Sequence, residues 1–237
     1  MTGRLRWLLS GGLLVLAGGL TAVSTWRHWD GCRPDLAAPT CLAVQETTYG
    51  LPLWGRVGHR DTIGTALGAV AAMLLGLAWL VVIGWARKNL ARTLMATVIA
   101  LQPLVVALLV DLELVAPGRF FAVGNSGWFT WPAEILILPM LLGAGWILDE
   151  SFGHTLRLIL LGWGVTSFGA VHHFVDYVGS MLLAPQSVET PPGMGYVTAA
   201  TQIMLGVLVG LISLLLRPED EGEDDDLPGR DGFMLAA

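Results

Sequence analysis

Six apolar runs separated by polar stretches organise the chain: Trp7–Thr25, Thr62–Ala86, Thr93–Val115, Pro132–Leu148, Leu158–Leu183 and Tyr196–Leu216. Most approach the ~20 residues that carry an α-helix across a ~30 Å hydrocarbon core. Lipid offers no hydrogen-bond partner to a backbone amide, so each run must satisfy its own and is predicted to be an α-helix. The expected fold is an all-α, six-transmembrane-helix bundle over residues 1–217, with an outer loop at 26–61 and a tail at 218–237.

Basic residues set the orientation. Arg4 and Arg6 precede the first run, Arg87, Lys88 and Arg92 follow the second, Arg157 opens the fifth and Arg217 closes the last. With the N-terminus inside, all of these face the cytoplasm, and six crossings leave both termini there. Arg27, Arg33, Arg56 and Arg60 in the first outer loop oppose this assignment. Tryptophans favour it, with Trp26, Trp29, Trp54, Trp128 and Trp131 at the outer interface and Trp7, Trp85 and Trp163 near the inner one. A cleaved signal peptide ending near Ala22-Val23-Ser24 is the competing reading of the first run. Its apolar stretch exceeds the usual ~7–15 residues of a signal core, which favours a retained helix.

Composition agrees with lipid as the solvent. Hydrophobic residues make up 54% of the 237 positions and charged ones 14%, against about 25% charged in an ordinary soluble domain. The net charge of −6 comes from residues 219–237, which hold eight acids and one base. The rest of the chain carries +1. That tail is dense in charge and poor in apolar residues, so disorder is expected there, as a solvating segment or a dock for a basic partner. No basic patch with interleaved aromatics occurs, so nucleic acid is not an expected partner. Lysine appears once and arginine twelve times, a bias we read as that of a GC-rich bacterial genome, which places the chain in a bacterial plasma membrane.

Small residues line some helix faces. Gly64, Gly68, Ala72 and Gly76 recur at spacing four in the second run, and Gly206 and Gly210 do so in the sixth. Such faces admit a second backbone closely, within the bundle, in a homo-oligomer or against partner subunits. Pro103 and Pro139 interrupt the third and fourth runs and are expected as kinks.

The sequence "FGAVHHFVDYV" places His172, His173, Asp176 and Tyr177 in the fifth run. His172 and Asp176 share one helix face, and His173 and Tyr177 share the next. Counting ~1.5 Å per residue from Arg157 puts His172 about 22 Å and Asp176 about 28 Å up a continuous helix. Asp111 and Glu113 on the third run and Glu134 on the fourth reach the same outer layer. The expected site is an outward-opening pocket of Asp111, Glu113, Glu134, His172, His173, Asp176 and Tyr177. Its imidazoles and carboxylate, above all His172, His173 and Asp176, suit a divalent metal such as Zn²⁺, or a proton relay.

Cys32 and Cys41 lie in the outer loop, where oxidising conditions let them pair as a structural disulfide. They lack the close C-x-x-C spacing of a redox pair. Gly124-Asn125-Ser126-Gly127 has the G-x-S-G form of rhomboid-type intramembrane serine proteases. Its serine lies in a glycine-rich outer loop, the oxyanion residues expected on the second helix are absent, and His172 is on a helix running the wrong way to serve as base. Three functions follow in order of preference: an outward-facing site binding or passing a cation, proton or small solute; an accessory or scaffold subunit of a larger membrane complex; and a metal- or quinone-dependent membrane enzyme.

Overall fold

The computed structural model describes residues 3–32, 39–41, 62–82, 96–101, 103–105, 152–183 and 193–215, with single positions at 90 and 94. Among the described residues every regular element is helical. The elements are α1 (Gly3–His28), a 3-10 turn (Asp30–Cys32), α2 (Thr62–Val82), α3 (Phe152–Val165), α4 (Ala170–Leu183) and α5 (Tyr196–Leu215). Three of them, α1, α2 and α5, are long and apolar enough to cross a membrane. The expected fourth helix (132–148), the tail and most of the third helix lie outside the described residues.

Helix α1 is the hub. Its buried positions repeat every seven residues, and each set of three addresses one neighbour. Ser10, Ala17 and Ser24 face α2, where the Ser10 hydroxyl donates to the Ala78 carbonyl at 2.7 Å and Ser24 to that of Gly64 at 2.6 Å. Gly11, Gly18 and Thr25 face α5, against Gly206, Ala199 and Gly195 respectively. Trp7 and Leu14 face α3, where the Arg157 guanidinium lies 5.0 Å from the Trp7 ring centre and Gly164 abuts the Leu14 side chain. Thr21 is the third member of that last set. With one neighbour on each face of α1, the four helices enclose a single apolar core.

These pairings fix direction. Residues 10 and 24 of α1 meet 78 and 64 of α2, and residues 4 and 25 of α1 meet 214 and 195 of α5, so both partners run antiparallel to α1. Helix α3 runs parallel to it. The first and last described residues therefore sit at the same end of the bundle. Beside α2, a helical segment at Ala96–Val105 returns antiparallel, with the Trp79 indole donating to Ala96 at 2.9 Å and Leu104 packed on Gly76.

The fifth apolar run is not one helix. Thr166, Ser167, Phe168 and Gly169 form turns that separate α3 from α4. The Thr166 hydroxyl bonds back to the Gly162 carbonyl at 2.9 Å, and the Ser167 amide reaches Gly164 rather than Trp163. Back-bonding of this kind, followed by a glycine, is a known way to interrupt a helix. The helix also begins at Phe152, so Arg157 lies inside it and is buried rather than opening it.

Candidate functional site

The break relocates the histidines. A continuous helix would separate Trp163 and His172 by about 13 Å along its axis, yet their ring centres are 4.5 Å apart. The depth count from Arg157 assumes a continuous helix; the turn at 166–169 shortens that rise, after which α4 runs on toward the start of α5, where Gly179 lies against Val197. Trp163 sits in mid-bundle beside Leu14's partner Gly164. The end of the bundle that holds the start of α1 gathers Trp7, Arg157 and His154, whose ring stacks edge-on to Trp7 at 5.4 Å.

Asp176 is fully buried, and its carboxylate is directed at the start of α5. Oδ1 accepts from the Val197 amide at 3.1 Å and Oδ2 from the Thr198 hydroxyl at 3.0 Å. The first amides of a helix lack intrahelical partners and carry the positive end of its dipole, so a carboxylate there is stabilising. At the other end of α5, Arg4 donates to the Leu214 carbonyl at 3.0 Å. Helix α5 is thus capped by an acid at its N-terminus and a base at its C-terminus, both borrowed from other helices.

Of the residues expected to form one pocket, the structure groups His172 and Asp176 as buried neighbours on α4, with His173 half-buried beside them. Tyr177 leaves that group and packs on Trp29, Cys32, Cys41 and Met194. Cys32 and Cys41 are joined in a disulfide, covered by Trp29, whose indole donates to the Met194 carbonyl at 2.9 Å. This cluster therefore ties the C-terminal end of α1 to Tyr177 of α4 and to Met194, just ahead of α5. Asp111, Glu113 and Glu134 lie outside the described residues. Among the described residues, no three His, Cys, Asp or Glu side chains gather to hold a metal ion.

Other polar residues complete the layer. Gln202, fully buried, donates from Nε2 to the Ser167 hydroxyl at 2.7 Å, tying α5 to the helix break. Thr21 and Thr25 on α1 are buried at 0% and 1% exposure. Among the described residues, the Thr21 and Thr25 hydroxyls and Gln202 Oε1 have no hydrogen-bond partner. None of these residues is charged, so hydropathy masks them; their signal is a pair of polar residues at i, i+4 in each of two apolar helices, Thr21/Thr25 and Thr198/Gln202.

The polar layer thus comprises Thr21, Thr25, Ser167, His172, Asp176, Thr198 and Gln202. It lies toward the disulfide end, above an apolar core built from Trp7, Leu14, Leu75, Trp79, Leu161 and Val209. Compared with known proteins, the chain matches no family model, no curated protein and no solved structure.

Proposed function

We propose that this chain is a non-enzymatic, multi-pass protein of a bacterial plasma membrane, with six spans, both termini cytoplasmic, and an outward-facing polar site that binds or passes a cation, proton or small solute. Helix directions support the span count. The Ala96–Val105 segment leaves the inner end and α3 starts from that end again, which calls for one returning helix between them, where 132–148 is apolar enough to serve. The basic residues Arg4, Arg6 and Arg157 support the cytoplasmic assignment of that end.

The observation that carries the functional reading is the buried polar layer itself. Polar groups are costly within a bilayer and usually face a bundle interior or a water-filled cavity when they are functional. Here the layer surrounds a broken helix and sits beneath the disulfide-clamped outer end. The expected site residues Asp111, Glu113 and Glu134 would add acid groups from the third and fourth helices. A divalent ion such as Zn²⁺ on His172, His173 and Asp176 would have to draw on carboxylate oxygens already engaged with α5, so we favour a proton or monovalent cation.

Reconstitution into liposomes tests the reading. Proton and alkali-cation flux is measured with a pH-sensitive dye and ion-selective electrodes, for the wild type and for the joint change His172→Ala and His173→Ala, alongside metal content. Flux or stoichiometric ion binding that falls in the variant while folding persists supports the site. Impermeant, ion-free protein in both forms removes it. The second reading, an accessory subunit, is favoured by one observation: Asp176 serves α5 as a structural cap. Its mark is a partner chain that copurifies in stoichiometric amount.

A further inference from the structure

We infer that the helix break between α3 and α4 lines a sodium-ion site whose ligands include Thr21 Oγ1 and Gln202 Oε1. The inference rests on the cation-binding reading above and narrows it to one ion and one set of oxygens. Three observations converge on it.

First, a break in a membrane helix is tolerated where it is packed in protein or lines a cavity; the last carbonyls of α3 are taken up by Thr166 and Ser167, so the ligands here are side-chain oxygens. Second, Thr21 and Gln202 are each fully buried and each keeps an oxygen without a partner. Orphaned polar atoms of this kind are uncommon in a folded interior and call for an ion or water. Third, register places both in the layer next to the break: Gly18 lies against Ala199 and Ile203 and Thr25 against Gly195, which sets Thr21 level with the first turn of α5, one turn from Gln202. Gln202 is held at the break by Ser167. Thr21 follows Trp7 and Leu14 in the α1 set that faces α3, one heptad beyond the residue that touches Gly164. Helical side chains lean toward their own N-terminus. On antiparallel α1 and α5 that lean carries Thr21 and Gln202 toward a common level.

The donor set narrows the ion to a hard cation. Hydroxyl and amide oxygens are hard, neutral ligands, suited to a hard cation rather than to a soft or borderline metal, and sodium is the one tested. Both Asp176 oxygens are engaged by α5, so among the described residues of the layer no spare carboxylate is at hand to neutralise a divalent ion, while its charge still favours a monovalent one nearby. Thr25, one turn further out with its own unspent hydroxyl, lies on the outward side of the site.

The test uses the full chain purified in detergent, with thermal unfolding followed in sodium, potassium and choline chloride at constant ionic strength. The wild type is expected to gain stability saturably with sodium alone. Thr21→Val keeps the side-chain shape, removes the hydroxyl, and should move the sodium midpoint about tenfold higher. Thr21→Ser should keep the wild-type midpoint. Ser213→Ala removes a buried hydroxyl already bonded to Val209 at 2.7 Å near the other end of α5, and should leave the midpoint unchanged. Equal responses to all three salts, or a wild-type midpoint in Thr21→Val, overturns the site. If Thr21→Val does not fold, equilibrium binding of radioactive sodium to the wild type decides, and absence of saturable binding overturns it. Sodium binding without flux in liposomes supports the site and removes permeation. Flux whose sodium dependence survives Thr21→Val removes the site and leaves permeation standing.

Discussion

Gly206 and Gly210 look equivalent in sequence, and the structure makes them opposites. A Cβ built on Gly206 would lie 2.7 Å from the Gly11 carbonyl oxygen, 2.9 Å from the Val15 amide and 2.8 Å from the Val15 side chain. A Cβ on Gly210 meets nothing within 4 Å. The Gly206 neighbours are mainly backbone and cannot rotate away, so Gly206→Ala forces α1 and α5 apart until 2.7 Å becomes an ordinary contact of at least 3.4 Å. Overpacking of this kind costs about 1–3 kcal/mol, against a gain of roughly 0.5–1 kcal/mol from replacing glycine by alanine in a helix. The net expectation is a loss of about 1–2 kcal/mol for Gly206→Ala and a small gain for Gly210→Ala. Reversible unfolding in mixed micelles of rising denaturing-detergent fraction measures both. Equal stabilities for the two variants would refute the assignment of Gly206 to the α1–α5 contact.

Removing the α5 cap should be costly: Asp176→Ala strips acceptors from a helix N-terminus and from a buried hydroxyl, a loss of about 2–3 kcal/mol, with Asp176→Asn intermediate. The same unfolding titration reads it, and a neutral Asp176→Ala would show that the carboxylate does not cap α5. Replacing Cys32 and Cys41 by serine opens a short loop, and the chain-entropy view puts its contribution at roughly 2–3 kcal/mol; thiol labelling with and without reductant, paired with melting curves, checks both the bond and its effect. Gly195 sits at φ +111°, with Thr25 directly against the position its Cβ would take. Gly195→Ala should therefore destabilise more than Gly206→Ala, and Thr25→Ala should recover only part of the loss because the backbone strain remains. Full recovery in that double variant would show that contact alone was at fault.

Long apolar runs made α1, α2 and α5 legible, because a span in lipid must be continuous, apolar and helical whatever surrounds it. The cysteine pair was legible for a similarly local reason: two thiols nine residues apart in one loop need no distant element to meet. The break at Thr166–Gly169 was not. Its residues are uncharged and mildly apolar in aggregate, so hydropathy runs straight through them, and only a back-bonded threonine next to a glycine hints at the interruption.

The histidine–aspartate group shows the same division. Sequence alone put His172 and Asp176 on one face of a helix and in the outer layer. Only the tertiary structure decided that Asp176 turns to the start of α5, that Tyr177 belongs to the disulfide cluster, and that His172 packs on Trp163. It alone brought forward Thr21, Ser167 and Gln202, which draw no notice as single polar residues in apolar helices. The physical reason is that spacing along one helix fixes which side chains share a face, whereas the partner opposite that face is chosen by packing. The seven-residue repeat of α1 was written in the chain from Trp7 to Thr25. Which neighbour each of its three faces would meet was settled only when α2, α3 and α5 closed around it.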